Sequence, residues 1–217
     1  MEMYLGSDRP GSVLIQAVDL SDIDLYYETV KLVESHTGRL DLGFCALCCQ
    51  KPRDEMGPWE AGPFPDGWFS FGYGRFTLED LKKHVIDPIR SKQFTTRFYI
   101  GGCGLSGLFA LWATYQLRDF SGAACISPSV WFPGFQQYAE ENQPLTKRIY
   151  LEIDRRETHV REPVRRFNAR NALEELCDKL VTEDGVDSIL GVTENGRKNC
   201  YAERTARGFE WLLSRES

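Results

Sequence analysis

Tyr99-Ile100-Gly101-Gly102-Cys103-Gly104-Leu105-Ser106-Gly107-Leu108-Phe109-Ala110-Leu111 is the stretch whose reading decides the fold. An apolar run enters a cluster of small residues, and a second apolar run leaves it. The pattern predicts a strand, a sharp turn and a helix, with glycines that let strand and helix approach closely. Working outward, residues 12–18 form a short apolar run between Gly11 and Asp19, expected as a buried strand. Ile23, Tyr26, Tyr27, Val30 and Val33 recur at helical spacing over 22–35, and Gly38 ends that helix. Residues 40–49 read as the next strand. Residues 50–75 read as a long loop rich in Gly, Pro and Trp, and such a loop in a compact domain is usually functional. Thr77 is expected to cap a helix running to about residue 89. Beyond the strand at 97–101 and the helix at 105–117, strands are expected at 123–126, 148–153 and 188–192. Helices are expected at 163–180 and 204–213, with 128–144 irregular. Strands that alternate with helices imply an α/β fold: a mostly parallel sheet with helices on both faces, a three-layer sandwich in one domain over 1–217.

Composition narrows the function classes. A chain of 217 residues with 42% hydrophobic content can bury one sizeable core. The net charge of -6, with acidic and basic residues interspersed, argues against a nucleic-acid partner. Residues 1–10 are polar and lack the apolar segment of a signal peptide, and the apolar runs fall short of a membrane span. A cytoplasmic protein with no membrane contact is therefore expected. The seven cysteines are odd in number and read as reduced thiols. Cys45, Cys48 and Cys49 lie in one apolar strand, where alternation sends Cys48 and Cys49 to opposite faces. That geometry is poor for chelation, and no metal or cofactor is expected.

Several segments together carry a family likeness. They are Val13-Leu14-Ile15-Gln16, Gly57-Pro58-Trp59, Gly107-Leu108-Phe109-Ala110-Leu111 and Ile126-Ser127-Pro128-Ser129-Val130-Trp131. The last is Arg204-Thr205-Ala206-Arg207-Gly208-Phe209-Glu210-Trp211-Leu212-Leu213. The chain resembles the esterase D-like and enterochelin-esterase-like branch of the α/β-hydrolase fold over nearly its whole length. Dinucleotide-binding folds share a strand, Gly-rich turn and helix, but they need an acidic residue after the next strand, which is not met near Ile126.

The resemblance implies a set of positions. Family members carry G-x-S-x-G-G-L at the corner, a serine nucleophile on a strained turn. Anchored on Gly107-Leu108, the nucleophile position falls on Gly104, the first motif glycine on Gly102 and the second on Ser106. The backbone N–H of Leu105 takes the place of one oxyanion donor. The second donor is expected from residues 50–55, where Pro52 has no N–H. The acid position falls on Glu157, after a strand in which Asp154 stands where the family has glycine. The histidine position falls on Arg197, whose guanidinium stays protonated and cannot act as a general base. Two side chains could replace the serine: Cys103, whose thiol points away from the pocket in the family register, and Ser106. His159 could replace the base, while His36 and His84 read as ordinary helix residues. Trp59, Trp68 and Trp131, with Phe64 and Phe69, are expected to wall the pocket.

Three readings follow. The favoured one is a non-catalytic pseudo-esterase that binds a small ligand, anionic if Arg197 holds it, or a partner protein. The alternative is an active ester hydrolase using Cys103 or Ser106 with His159. The third is an interaction protein, such as a homo-oligomer or the partner of an active paralogue. Loss of a triad serine or histidine costs on the order of 10⁶ in kcat, so ester hydrolysis by the family's route is expected near background.

Overall fold

The apolar runs become the strands of one sheet. The computed structural model describes residues 2–63, 67, 69–155, 169–193 and 200–216. Its strands are β1 (Glu2–Gly6), β2 (Ser12–Asp19), β3 (Leu42–Cys49), β4 (Glu60–Ala61), β5 (Ser70–Phe71), β6 (Arg97–Cys103), β7 (Phe120–Ile126), β8 (Arg148–Asp154) and β9 (Asp187–Thr193). Seven form a sheet in the order β1-β3-β2-β6-β7-β8-β9, and β4 pairs with β5 in a separate small hairpin. All neighbours in the large sheet are parallel except β1, which runs antiparallel to β3. β1 was not expected from the polar start of the chain. It is an edge strand, paired with β3 alone.

The helices are α1 (Ile23–Thr37), α2 (Pro52–Glu55), α3 (Gly74–Leu81), α4 (Asp87–Lys92), α5 (Leu105–Gln116), α6 (Phe135–Glu141), α7 (Ala169–Thr182) and α8 (Tyr201–Leu213). They cover both faces, as the alternation of elements implied. On one face α1 and α8 bring Tyr26, Val33, Phe209 and Leu212 onto Leu14, Val18, Phe44 and Tyr99. On the other, Leu81, Leu108, Leu111 and Leu173 pack onto Val13, Ile15, Ile100 and Leu151. Alternation along each strand divides the two cores. Cys48 lies in the first, while Cys45 and Cys49 lie in the second. The middle of the molecule is α5, in which 107–115 are all buried, as befits a helix apolar on every side.

Two local expectations change. The helix expected from Thr77 begins at Gly74, because the preceding loop is pinned by hydrogen bonds from Tyr73 N–H to the Asp54 carbonyl and from Gly74 N–H to the Gly57 carbonyl. Thr77 then lies inside the first turn, its hydroxyl donating to the Tyr73 carbonyl rather than capping. The helix widens into a π turn over Lys82–Ile86 before α4. The segment 128–144, read as irregular, contains α6, which buries Phe135 and Ala139.

Candidate functional site

The strand order itself creates a crevice. From β2 the chain moves outward to β3, then returns across 50–96 to place β6 on the other side of β2. Connections at the carboxyl ends of β2 and β6 thus leave in opposite directions, and open α/β sheets hold ligands at such a switch point. A cavity of about 270 Å³ lies there. Gln16 and Asp19 from β2 line it, with Asp22 and Leu25 from the start of α1. Pro52 and Met56 close it from the α2 side, Tyr201 and Thr205 from α8, and the corner at 103–106 forms its base.

The corner has the form the sequence implied. β6 ends at Cys103, Gly104 adopts φ 62° and ψ −120°, and α5 starts at Leu105. This left-handed conformation is one that L side chains adopt only under strain. Three hydrogen bonds hold it: Gly104 N–H donates to the Ile126 carbonyl at 2.9 Å, and the Gly104 carbonyl accepts from Leu108 N–H and Ser129 N–H, both at 3.0 Å. A Cβ placed on Gly104 would meet no atom within 4 Å. Gly102 and Gly107 differ in kind. A Cβ on Gly102 would lie 2.6 Å from the Ser106 Cβ, and one on Gly107 would lie 2.8 Å from the Ile126 carbonyl oxygen. Those two glycines let strand, turn and helix touch, whereas Gly104 leaves open space in front of a strained backbone.

Donors for a developing negative charge are unevenly supplied. Leu105 is the first residue of α5 and lines the cavity, so its N–H has no preceding carbonyl within the helix. In the segment 50–55, Lys51 N–H is taken by Glu55 Oε1 at 2.7 Å and Pro52 has none. Asp54 and Glu55 N–H both donate to the Lys51 carbonyl. β2, not β3, is the neighbour of β6, so the loop after β2 reaches the corner directly. There Ser21 N–H is already bonded to Asp19 Oδ1 at 2.9 Å.

Other expected site residues fall in different places. Cys103 is half-buried and is among the residues that line the cavity. As the last residue of β6 it sits where the sheet ends and the cavity begins. Ser106 also lines the cavity, but its hydroxyl donates to Met56 Sδ at 3.2 Å. Trp59 and Trp131 are not among the lining residues. The Trp59 ring packs on Phe132 and Tyr138, and its Nε1–H donates to the Pro133 carbonyl at 2.9 Å. Trp131 packs against the core on the α5 side. The β4–β5 hairpin thus carries its tryptophan to the α6 segment rather than to the corner. His36 pairs with Glu210 at 2.7 Å between α1 and α8, and His84 is exposed in the π turn. Among the described residues no histidine lines the cavity. Glu157, His159, Arg197, Trp68 and Phe64 lie outside the described residues.

A buried charge network supports the corner from behind. Register across the sheet runs from Cys103 to Ile126 to Glu152. Glu152 is fully buried and receives Arg204 Nε–H at 2.6 Å, Arg207 Nη1–H at 3.0 Å and the Tyr150 hydroxyl. Burial, and then the Glu152 carboxylate, push the Tyr150 hydroxyl well above its ordinary pKa. Arg204 also donates to Ser127 Oγ at 2.7 Å, and Ser127 N–H donates to the Glu152 carbonyl at 2.6 Å. These contacts hold Ser127 at φ 42°, a left-handed value unusual for serine. Two residues on, Ser129 N–H binds the Gly104 carbonyl. The Ser-Pro-Ser segment is therefore the brace between the buried ions and the corner.

Sequence reasoning missed Gln16, Asp19, Asp22 and Met56. Gln16 did carry a signal, as the one polar residue in the apolar run 13–18.

No family model matches the chain, and no curated protein matches it. Solved structures do. Siderophore hydrolase EstA from Aspergillus nidulans superposes with a TM-score of 0.67 at 17% identity, covering 96% of this chain and 84% of that one. Enterobactin hydrolase IroE, solved in complex with DFP, gives 0.66 at 14% identity over 98% and 86%. An alpha-beta serine hydrolase homologue from Coxiella burnetii gives 0.56 at 12% identity over 100% and 91%. Likeness of this extent at such low identity is a likeness of fold: the chain has the α/β-hydrolase fold.

Proposed function

We propose that this α/β-hydrolase-fold protein binds a small molecule in the cavity at Gly104 and does not hydrolyse esters by the route its corner was built for. One observation carries the reading. Gly104 holds the strained φ 62° of the corner with open space in front of it, yet offers no side-chain atom to attack a carbonyl. The frame of a nucleophile is kept while the nucleophile is missing, and the cavity beside it remains. Arg197 at the histidine position, as the family likeness implies, adds a second missing element. Removal of a triad serine or histidine costs on the order of 10⁶ in kcat. The parent protein should then turn over p-nitrophenyl acetate and butyrate no faster than buffer. The test is the double variant Gly104→Ser with Arg197→His. Activity in the double variant alone supports the reading, and equal activity in parent and variant overturns it.

The position of Cys103 in the cavity lining favours one second reading, a thiol-dependent hydrolase. It requires a base to make the thiolate. Ester turnover by the parent that disappears in Cys103→Ala would establish it. Intact mass spectra showing no acylated Cys103 after p-nitrophenyl acetate, with no turnover, would dismiss it.

A further inference from the structure

A row of exposed aromatic rings runs along β5 and into the start of α3. Phe71 stacks on Tyr73 with ring centroids 5.9 Å apart, and Tyr73 meets Phe76 edge-on at 6.3 Å. Phe69 precedes Phe71 by two residues, with buried Ser70 turned to the other side. Phe69, Phe71, Tyr73 and Phe76 are 50%, 58%, 46% and 62% exposed, and none is among the described residues that line the cavity. Phe and Tyr side chains present about 150–250 Å² each, so the row leaves roughly 400 Å² of apolar surface in water, within the range of patches that are often functional. We propose that this ridge is the contact between two copies of the chain, related by a two-fold axis through Tyr73. The inference does not depend on what the cavity holds.

Charge at the two ends of the ridge selects the occupant. Glu60 of β4 lies directly opposite Phe71 in the hairpin register, and such cross-strand partners share a face. Glu60 therefore marks the Phe71 end. Arg75, beside Phe76 in α3 and with its side chain 77% exposed, marks the other. A two-fold axis through Tyr73 exchanges these ends. Phe71 then packs on Phe76 of the partner subunit, and Glu60 meets Arg75 of the partner subunit. Such an isologous contact is self-complementary and closes on itself. Arg75 already holds Glu79 at 2.9 Å, but an exposed pair of this kind is weak, so the guanidinium can turn to Glu60 at little cost. Two ridges together bury about 800 Å², the apolar core of a standard interface of about 1,600 Å², and a polar rim supplies the rest. The ridge is also fixed within the single chain: Phe71 N–H donates to Asp54 Oδ1 at 3.2 Å and Tyr73 N–H to the Asp54 carbonyl at 2.9 Å. Pairing therefore has little backbone to order. The exposed carboxylates of Glu60, Glu79 and Asp80 beside the ridge disfavour an anionic lipid surface.

Sedimentation equilibrium of the full chain at micromolar concentrations tests this. The weight-average mass should rise with concentration and level at twice that of one chain. Phe76→Asp, at an exposed position, should weaken association by about tenfold or more with Tm unchanged. Glu60→Arg and Arg75→Glu should each weaken it about fivefold, because the axis repeats every contact. Both changes in one chain should restore the parent's association, and that recovery is specific to the axis through Tyr73. If Phe76→Asp does not fold, the parent and the charge exchange still decide. A parent that stays a single chain at every concentration would overturn the proposal. So would a dimer indifferent to Phe76→Asp, a mass that climbs past twice one chain, or a double variant no better than either single one. Flotation of a monomeric parent with phosphatidylcholine vesicles, lost in Phe76→Asp, would assign the ridge to a lipid surface and overturn it as well.

Discussion

Replacing Gly104 with serine separates backbone strain from crowding and from chemistry. The residue sits at φ 62° and ψ −120°, and a Cβ there meets nothing within 4 Å. The penalty is therefore conformational, about 1–3 kcal/mol for a non-glycine residue in such a region. Loss of glycine's freedom in the unfolded chain returns about 0.4–1 kcal/mol. The net destabilisation is then about 0–2.6 kcal/mol, which at roughly 2–4 °C per kcal/mol for a chain this size lowers Tm by roughly 10 °C at most. Gly104→Ala should fall by the same amount, since the hydroxyl has room. Differential scanning fluorimetry reads the shift, and p-nitrophenyl butyrate turnover reads the chemistry. Gly104→Ser alone should stay close to the parent, because an unassisted serine is a weak nucleophile. Adding Arg197→His should raise the rate about 10²–10⁴-fold, the usual contribution of a general base. A Tm loss far beyond this range would show that the space before Gly104 is not open. Equal turnover by parent and double variant would show that the corner never lacked what hydrolysis needs.

The neighbouring glycines should respond differently: Gly102→Ala and Gly107→Ala meet atoms at 2.6 and 2.8 Å. Each should lose more stability than Gly104→Ala by chemical denaturation, about 1–3 kcal/mol or more from overpacking. Glu152→Gln leaves the Arg204 guanidinium, 3% exposed, beside an uncharged amide. A loss of about 3–5 kcal/mol in urea is expected, and a loss below about 1 kcal/mol would mean that the network is not a unit. Cys49 has its pKa raised from 9.0 to about 12, by burial first and then by Glu55. The unfolded thiol ionises first as pH rises, so this contribution is complete below pH 9 and is lost from pH 9 through 12. Cys49→Ala should flatten the decline of stability over that window, and an unchanged slope would dismiss the assignment. Iodoacetamide at pH 8 should modify half-buried Cys103 and Cys200 before Cys49 or Cys125, as peptide mass mapping would show.

What the residues alone revealed follows from how local each feature is. The buried parallel strands were legible because each is an apolar run bounded by turn residues, and the end of α1 because Gly38 takes φ 61° with its N–H on the Glu34 carbonyl. The helix start at Gly74 was not legible, since it is set by bonds to Asp54 and Gly57 across the loop. Gly104 could be found because the corner is contiguous in sequence. The cavity lining could not, because the crossing order β3-β2-β6 brings Gln16 beside Gly101, far away along the chain. Trp59 misled for the same reason in reverse: its place in the long loop pointed to the corner, while its partners are Phe132 and Pro133.

The brace behind the corner explains how the turn is held with glycine at position 104. Glu152, Arg204 and Ser127 fix the Ser-Pro-Ser segment, and Ser129 N–H fixes the Gly104 carbonyl. None of these contacts involves a side chain at position 104. The turn's geometry is thus imposed by the sheet and by a buried ion network, and glycine is the residue that meets it with least strain. A serine there would hold the same turn at greater conformational cost, to be offset by function rather than by folding. If the corner attacks no substrate, as proposed above, stability alone favours Gly104. The cavity survives with it, because its walls come from the switch between β2 and β6.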